Sequence, residues 1–337
     1  MKPWTSAQLA ILSNLRERFL KGKVGEDYWS SEDELALYDA TFAQRISWKW
    51  DAVLRELHTR NWRPQSRALF DWGCGSGIAA RCVMAHWPQF ASLTLHDRSP
   101  LALHFAAQRA RDEHPAVAVR CAETLPPDAL LILSHVINEL SSVAFAQLLE
   151  VVGQAREVIW VEAGTHADSR RLIEVREHLV GSGRFAAIAP CTHQKGCGML
   201  AAQNAVHWCH HFAPSPSGAF QDAGWNQFSR ELGIDLRSLP YSFLVVEQRR
   251  GTPALAPGSS RVIGRSRDFK GYSKVLSCQA EGVTDYILQK RDAPQLLREV
   301  RRGTALPIYT WTIEEGKIVD GAPSCEQRDC GVDSSLA

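Results

Sequence analysis

Ala68-Leu69-Phe70-Asp71-Trp72-Gly73-Cys74-Gly75-Ser76-Gly77 is a short apolar run that ends in an acid and then carries three glycines at alternate positions. An apolar run of this length bounded by glycines reads as a buried strand. The glycines let the backbone turn tightly and approach a ligand closely, and a helix predicted from about Ile78 to Ala85 presents its free N–H groups to that ligand. Strand, glycine turn and helix in this order open a nucleotide-binding α/β domain. The spacing is G-x-G-x-G, whereas dinucleotide sites use G-x-G-x-x-G. A glycine turn in some other α/β protein is the competing reading.

Outward from this turn, Ser92 to Asp97 reads as a second strand ending in an acid twenty residues past Gly77, placed to accept both ribose hydroxyls of a nucleoside. A helix from about Leu101 to Glu113 leads to a third strand, Ala116 to Arg120, followed by Glu123. The fourth strand, Ala129 to Ser134, runs into His135 and Asn138, and the fifth, Glu157 to Glu162, ends on an acid. In an open parallel sheet, groups just past the carboxyl ends of the strands line the ligand crevice, so Ser134, His135, Asn138 and Glu162 are pocket candidates. The D-x-G-x-G-x-G form from Asp71 to Gly77 resembles motif I of class I S-adenosylmethionine-dependent methyltransferases. That resemblance implies a Rossmann-like methyltransferase sheet with S-adenosylmethionine held by Asp71, Gly73, Gly75, Gly77 and Asp97, with Glu123 near the adenine edge and Ser134 in the pocket. His135, Asn138 and Glu162 are the nominees for a catalytic base or substrate contact.

Ahead of the sheet, residues 1–60 read as a helical extension. Leu9, Leu12, Leu15 and Phe19 give one helical pattern, and Ser31-x-x-Glu34 opens a second that runs through Leu57. Trp48 and Trp50 on it read as core aromatics. The net charge of +1 does not by itself point to nucleic acid, but between Arg249 and Arg302 twelve Lys and Arg face five Asp and Glu. A basic segment on a neutral chain is a candidate surface for a phosphate backbone. No apolar run is long enough to span a bilayer and the first residues lack an apolar leader core, so no membrane partner is expected. The expected location is the bacterial cytoplasm, or the mitochondrial matrix in a eukaryote, where nine cysteines are to be read for metal or catalysis rather than disulfides.

Three of those cysteines, Cys191, Cys197 and Cys209, fall within twenty-one residues together with four histidines, and Cys278 lies at the end of a predicted downstream strand. Thiolates and imidazoles are the commonest soft-metal ligands, and a loop rich in them with few apolar residues needs another source of order. The four thiols suit an iron-sulfur cluster; three of them with a histidine suit zinc; buried cysteines without a metal are the plain alternative.

At this point the chain resembles a family, the methyltransferase-like proteins associated with the mitochondrial small ribosomal subunit and their bacterial relatives. The resemblance rests on the glycine motif, Val161-Glu162-Ala163-Gly164-Thr165, Ala189-Pro190-Cys191-Thr192-His193, Trp208-Cys209-His210, and Arg261-Val262-Ile263 with Cys278. It implies a 4Fe-4S cluster on Cys191, Cys197, Cys209 and Cys278, and a role in small-subunit assembly and translation. Thr192 and Gly198 stand where the family commonly has proline, and His211 is an extra residue before Phe212.

The expected architecture is therefore α/β, with a methyltransferase-like domain over residues 61–250 that includes a cysteine-rich metal-binding insertion at 190–215. A small basic β-rich module follows over 260–320, and then a disordered tail over 321–337 that carries Cys325 and Cys330. In the basic module Arg261, Arg265, Arg267, Lys270 and Lys274 interleave with Phe269 and Tyr272, which suits phosphate contacts and base stacking on RNA. The leading expectation is an S-adenosylmethionine-binding protein that methylates or docks to small-subunit ribosomal RNA. The alternatives are a non-catalytic assembly factor that uses the same fold as a scaffold, and a methyltransferase for a small molecule or protein.

Overall fold

A computed structural model describes residues 2–21, 29–249, 258–303 and 306–324. The predicted linker between Arg249 and Ser260 falls largely outside these residues, as do Cys325 and Cys330. The chain forms two units: Met1–Pro190 with Ala205–Thr252, and Cys191–Asn204 with Pro253–Ala337.

The first unit opens with α1 (Ser6–Lys21) and α2 (Glu32–Tyr38). Ser31 caps α2 by accepting the N–H of Glu34 at 3.2 Å, while the Glu34 carboxylate reaches back to the N–H of Ser30 at 2.8 Å, a shifted form of the expected capping box. The expected helical pattern through Leu57 is continuous but carries a π-helical turn over Asp39–Ala43 before α3 (Gln44–Thr59). Then follow β1 (Ala68–Trp72), α4 (Ile78–His86), β2 (Ser92–His96), α5 (Pro100–Glu113), β3 (Ala118–Cys121), β4 (Leu130–Ser134), α6 (Ser142–Gln154), β5 (Glu157–Ala163), α7 (His166–Gly181), β6 (Phe185–Ala189), β7 (His211–Ala213), α8 (Ala223–Leu232) and β8 (Leu239–Gln248).

The strand order is β3-β2-β1-β4-β5-β8-β6, with β7 added to β8. Strands β1 to β5 pair in parallel, and β8 runs antiparallel between β5 and β6. This α/β fold with a mixed sheet resembles Rossmann-like methyltransferases. The central strands are buried on both faces, which is why they read as unbroken apolar runs. Successive side chains still go to opposite layers: Leu130 and Ile132 pack with Trp50, Leu54 and Leu57 of α3, while Leu131 and Leu133 pack with Leu148 of α6 and Leu172 of α7. Trp48 and Trp50 lie in the core as expected. Order reverses between β1 and β4, so the crevice opens beyond their carboxyl ends.

The second unit contains β9 (Ser259–Val262), β10 (Arg267–Phe269), β11 (Tyr272–Gln279), β12 (Gly282–Gln289), α9 (Pro294–Arg302), β13 (Ile308–Glu314) and β14 (Lys317–Pro323). Strand β9 pairs with both β13 and β11, so β11, β12, β14, β13 and β9 close into a five-stranded ring, with β10 appended to β11. Pairs in the ring are antiparallel except β12 with β14. A five-stranded small barrel with one helix inserted in its connections is the arrangement of OB-folds. Leu296, Leu297 and Val300 of α9 plug it against Val275, Leu288, Tyr309 and Ile318. Strand β14 runs to Pro323, into the stretch expected as tail, because β13 supplies it with a partner from Tyr309 to Glu314.

Candidate cofactor crevice and charged surfaces

At the end of β1 the turn closes on the neighbouring strand: the N–H groups of Gly73 and Cys74 both donate to the carbonyl of His96, at 2.7 and 3.0 Å. Gly73, Gly75 and Gly77 have φ of 73°, 52° and 76°, the left-handed region where a side chain is costly. Their surroundings differ. A Cβ at Gly73 would stand 2.7 Å from Val136 Cγ1 and one at Gly77 2.9 Å from Ala106 Cβ, so these two are demanded by packing. At Gly75 a Cβ would meet nothing within 4 Å. Its N–H donates to Asp97 Oδ2 at 2.9 Å, and Asp97 Oδ1 accepts from Ser99 N–H at 2.9 Å. The acid is thus fixed at the rim with lone pairs to spare for hydroxyl donors. Burial raises its pKa, against the Ser99 and Gly75 amides.

Asp71 is fully buried, and neither of its oxygens meets a hydrogen-bond partner among the described residues. Desolvation pushes its pKa up to about 7. Glu123 lies exposed beyond β3, where its charge acts on His96. Ser134 accepts a hydrogen bond from Trp50 Nε1 at 3.0 Å, so the helical extension reaches the end of β4.

The three catalytic nominees differ in their settings. Asn138 is exposed in a 3-10 turn, Ile137–Glu139. Glu162 is buried, and its Oε1 accepts from the N–H groups of Val136 and Ile137 at 3.0 and 3.1 Å and from Trp160 Nε1 at 2.6 Å. Desolvation outweighs those donors and raises its pKa to about 8. It holds the loop after β4 in shape. His135 is the nominee at the crevice edge, with φ of 57° in a region that costs a non-glycine residue about 1 kcal/mol or more. Its Nε2 lies 3.4 Å from Lys49 Nζ. Lys49 had no signal in the sequence: in a helix a lysine among tryptophans reads as a solvated face.

In the second unit Arg265, Arg267 and Lys270 are exposed, Lys274 is half-buried and opposite Arg267 in the β10–β11 ladder, and Arg261 is buried at 2 % exposure. Arg267 is ion-paired with Asp285. Phe269, 45 % exposed, stacks on Tyr272 with ring centroids 4.8 Å apart and planes 10° from parallel. Arg301 of α9 staples this hairpin by donating to the carbonyls of Phe269 and Tyr272, both at 2.8 Å. Its part was invisible in the sequence because it acts from the next helix.

Cys209 belongs to the first unit, and Cys191, Cys197 and Cys278 to the second. Cys209 Sγ lies 3.8 Å from His211 Nε2 and Cys278 Sγ lies 3.9 Å from His193 Nε2. Among the described residues no group of three or more His, Cys, Asp or Glu side chains could hold a metal ion. The expected four-thiolate cluster and its zinc alternative are therefore not supported among the described residues. No described helix is long and apolar enough to cross a membrane.

No curated protein matches the chain. Among solved structures it is similar to the plantazolicin methyltransferase BamL, determined with a desmethyl-plantazolicin analogue and S-adenosylhomocysteine, at 10% identity and TM-score 0.40 over 72% of this chain and 97% of that one. It is similar to the methyltransferase domain of bacterial CtHen1, at 12% identity and TM-score 0.37 over 61% of this chain and all of that domain. A Pyrococcus horikoshii protein given provisionally as an RNA methyltransferase matches at 11% identity and TM-score 0.36, over 62% and 83% of the two chains. Likenesses of this depth say nothing of what this chain binds. Sequence is more decisive: the family described as mitochondrial small ribosomal subunit Rsm22 matches residues 36–304, most of the chain, and the protein belongs to that family.

Proposed function

We propose that the chain binds S-adenosylmethionine in the crevice of its first unit and acts on or docks to small-subunit ribosomal RNA. The observation that carries the cofactor reading is Gly75: left-handed, with open space where a side chain would be, and bonded through its N–H to Asp97. Asp97 would accept the ribose hydroxyls, with Glu123 toward the adenine edge and Ser134 at the pocket wall. The bound cofactor supplies an electrophilic methyl group; the residues of the chain would bind, orient and shield it, so positioning would provide much of any rate.

The RNA reading is supported by membership of a family tied to the small ribosomal subunit, and by the second unit's barrel. OB-folds take oligonucleotides on the face of their second and third strands and the adjoining loops. Here that face is β11–β12 and the loop carries Arg265, Arg267, Lys270 and the Phe269–Tyr272 stack. Family membership also favours a mitochondrial-matrix or bacterial-cytoplasmic setting. A non-catalytic assembly role is the second reading, favoured by Glu162 being consumed in holding a loop.

Calorimetric titration with S-adenosylhomocysteine tests the first part: wild type binds, Gly75→Asp does not, and an indifferent variant sinks the assignment. Gly75→Asp that keeps RNA binding and full biological activity would establish the scaffold role. The iron-sulfur site stays a proposal resting on family resemblance and on the soft-donor chemistry of Cys191, Cys197, Cys209 and Cys278. Metal and sulfide analysis of anaerobically purified wild type and Cys191→Ser decides it: iron with sulfide, lost in the variant, supports the cluster, one zinc supports the zinc alternative, and no metal removes both.

A further inference from the structure

Helix α3 carries two cations one turn apart, Arg45 and Lys49, and both are partly buried. Among the described residues neither is joined to a carboxylate in an ion pair, and Arg45 Nε meets no hydrogen-bond partner. Other buried arginines of this unit are matched: Arg60 pairs with Glu56 at 2.8 Å and Arg81 with Asp39 at 2.7 Å. Burying like charges without a counter-charge is costly, so an arrangement of this kind asks for an anion.

The nearby acids do not supply it as an ion pair: Asp235, whose charge acts on Arg45, is joined to Arg237 at 3.0 Å. Glu162 spends its Oε1 on three N–H donors, and Asp168 accepts from Thr165 Oγ1 at 2.7 Å in capping α7. Lys49 Nζ instead lies 3.4 Å from the imidazole of His135. The residue after His135, Val136, is the one a side chain at Gly73 would meet, so Lys49 reaches the loop that packs on the glycine turn. Desolvation first, then the charge of Arg45, bring the Lys49 pKa down to about 7, while Glu162 and Asp168 pull it up. The same burial, with Lys49 and Arg45, holds His135 well below its ordinary range.

We propose that Lys49, Arg45 and His135 form a carboxylate seat that receives the amino-acid end of the ligand whose nucleoside end lies on Gly75 and Asp97. This rests on the cofactor reading above and assigns its second anchor. A nucleic-acid phosphate is the other anion available, but Lys49 and Arg45 are partly buried on α3, where a small carboxylate tethered to a nucleoside reaches more readily than a polyanion that stays solvated.

The experiment is calorimetric titration of the full chain with two compounds that share the nucleoside and differ in the amino-acid end, S-adenosylhomocysteine and methylthioadenosine. Lys49→Ala is expected to weaken S-adenosylhomocysteine about 10- to 100-fold, the span of a lost charge-assisted contact, while methylthioadenosine changes by less than about twofold. For wild type, S-adenosylhomocysteine affinity should fall as pH rises from 7 to 9, because Lys49 must hold its proton to receive the carboxylate. The charges facing it are Arg45 on its own helix, His135 after β4, Glu162 of β5 and Asp168 of α7. Should Lys49→Ala fold poorly, Lys49→Gln and the wild-type pH slope carry the same test. Equal or absent loss for the two compounds overturns the seat alone. Loss of RNA affinity with unchanged S-adenosylhomocysteine affinity assigns the cations to phosphate and also overturns it. Wild type that binds neither compound overturns the cofactor reading, and the seat with it.

Discussion

The crevice of the first unit and the basic face of the second use polar groups in opposite ways. In the crevice several groups are committed inside the fold: Gly73 to Val136, Gly75 to Asp97, Glu162 to three N–H donors. Across β10 and β11 Arg265, Arg267 and Lys270 are exposed, and contacts such as those of Arg301 and the Arg267–Asp285 pair tie the hairpin to the barrel. A buried site gains precision from interactions that water does not screen, and a substitution there disturbs folding as readily as binding. A surface of charges is weakly specific, additive and salt-dependent.

The largest effect that would test this contrast is at Gly73. Gly73→Val should cost about 3–5 kcal/mol in chemical unfolding, combining a left-handed φ with a clash at Val136. A cost below 1 kcal/mol would show the turn to be less tightly held. Glu162→Gln probes burial by pH. Its carboxyl has a folded-state pKa of about 8, above the ordinary 4.5, so its protonated form contributes stability at low pH that is lost as pH rises through 8. The variant has no such loss and should gain on wild type by about 1.4 kcal/mol per pH unit between pH 5 and 8. Parallel curves in a melting series would contradict this.

On the second unit, Phe269→Ala should weaken single-stranded RNA by about 1–3 kcal/mol, the worth of one stacked base, without altering the melting temperature. Gly75→Ala separates binding from folding: about 1 kcal/mol or slightly more in stability, since nothing stands in its way, but more than a tenfold loss of S-adenosylhomocysteine. The smallest effect is Lys270→Ala, a few-fold in RNA affinity with the salt slope reduced by about one. Arg261→Ala should behave in the reverse sense, lowering stability and leaving the salt slope alone, because its side chain is buried.

Much of the first unit was legible. The alternation of apolar runs with glycine, serine and threonine caps placed β1 to β6 and their helices within a few residues, since parallel strands buried on both faces must be apolar throughout. Strand β7, only three residues, and β14, with Gly321 and Pro323, carry no such signal; each exists because a longer partner offers it a ladder. The π-helical turn at Asp39–Ala43 lies within a pattern that reads as one helix.

At the site, the sequence by itself determined the glycine turn and the acid after β2, because backbone conformation and strand-end position are local properties recorded in residue type and spacing. Tertiary structure alone decided that Glu162 braces a loop, that Arg261 is interior while Lys270 is not, that Cys209 and the other three thiols fall in different units, and that Lys49 meets His135 across 86 positions of chain. Those outcomes depend on what each side chain meets after packing, and burial sets the cost of charge, so no reading of neighbours along the chain contains them.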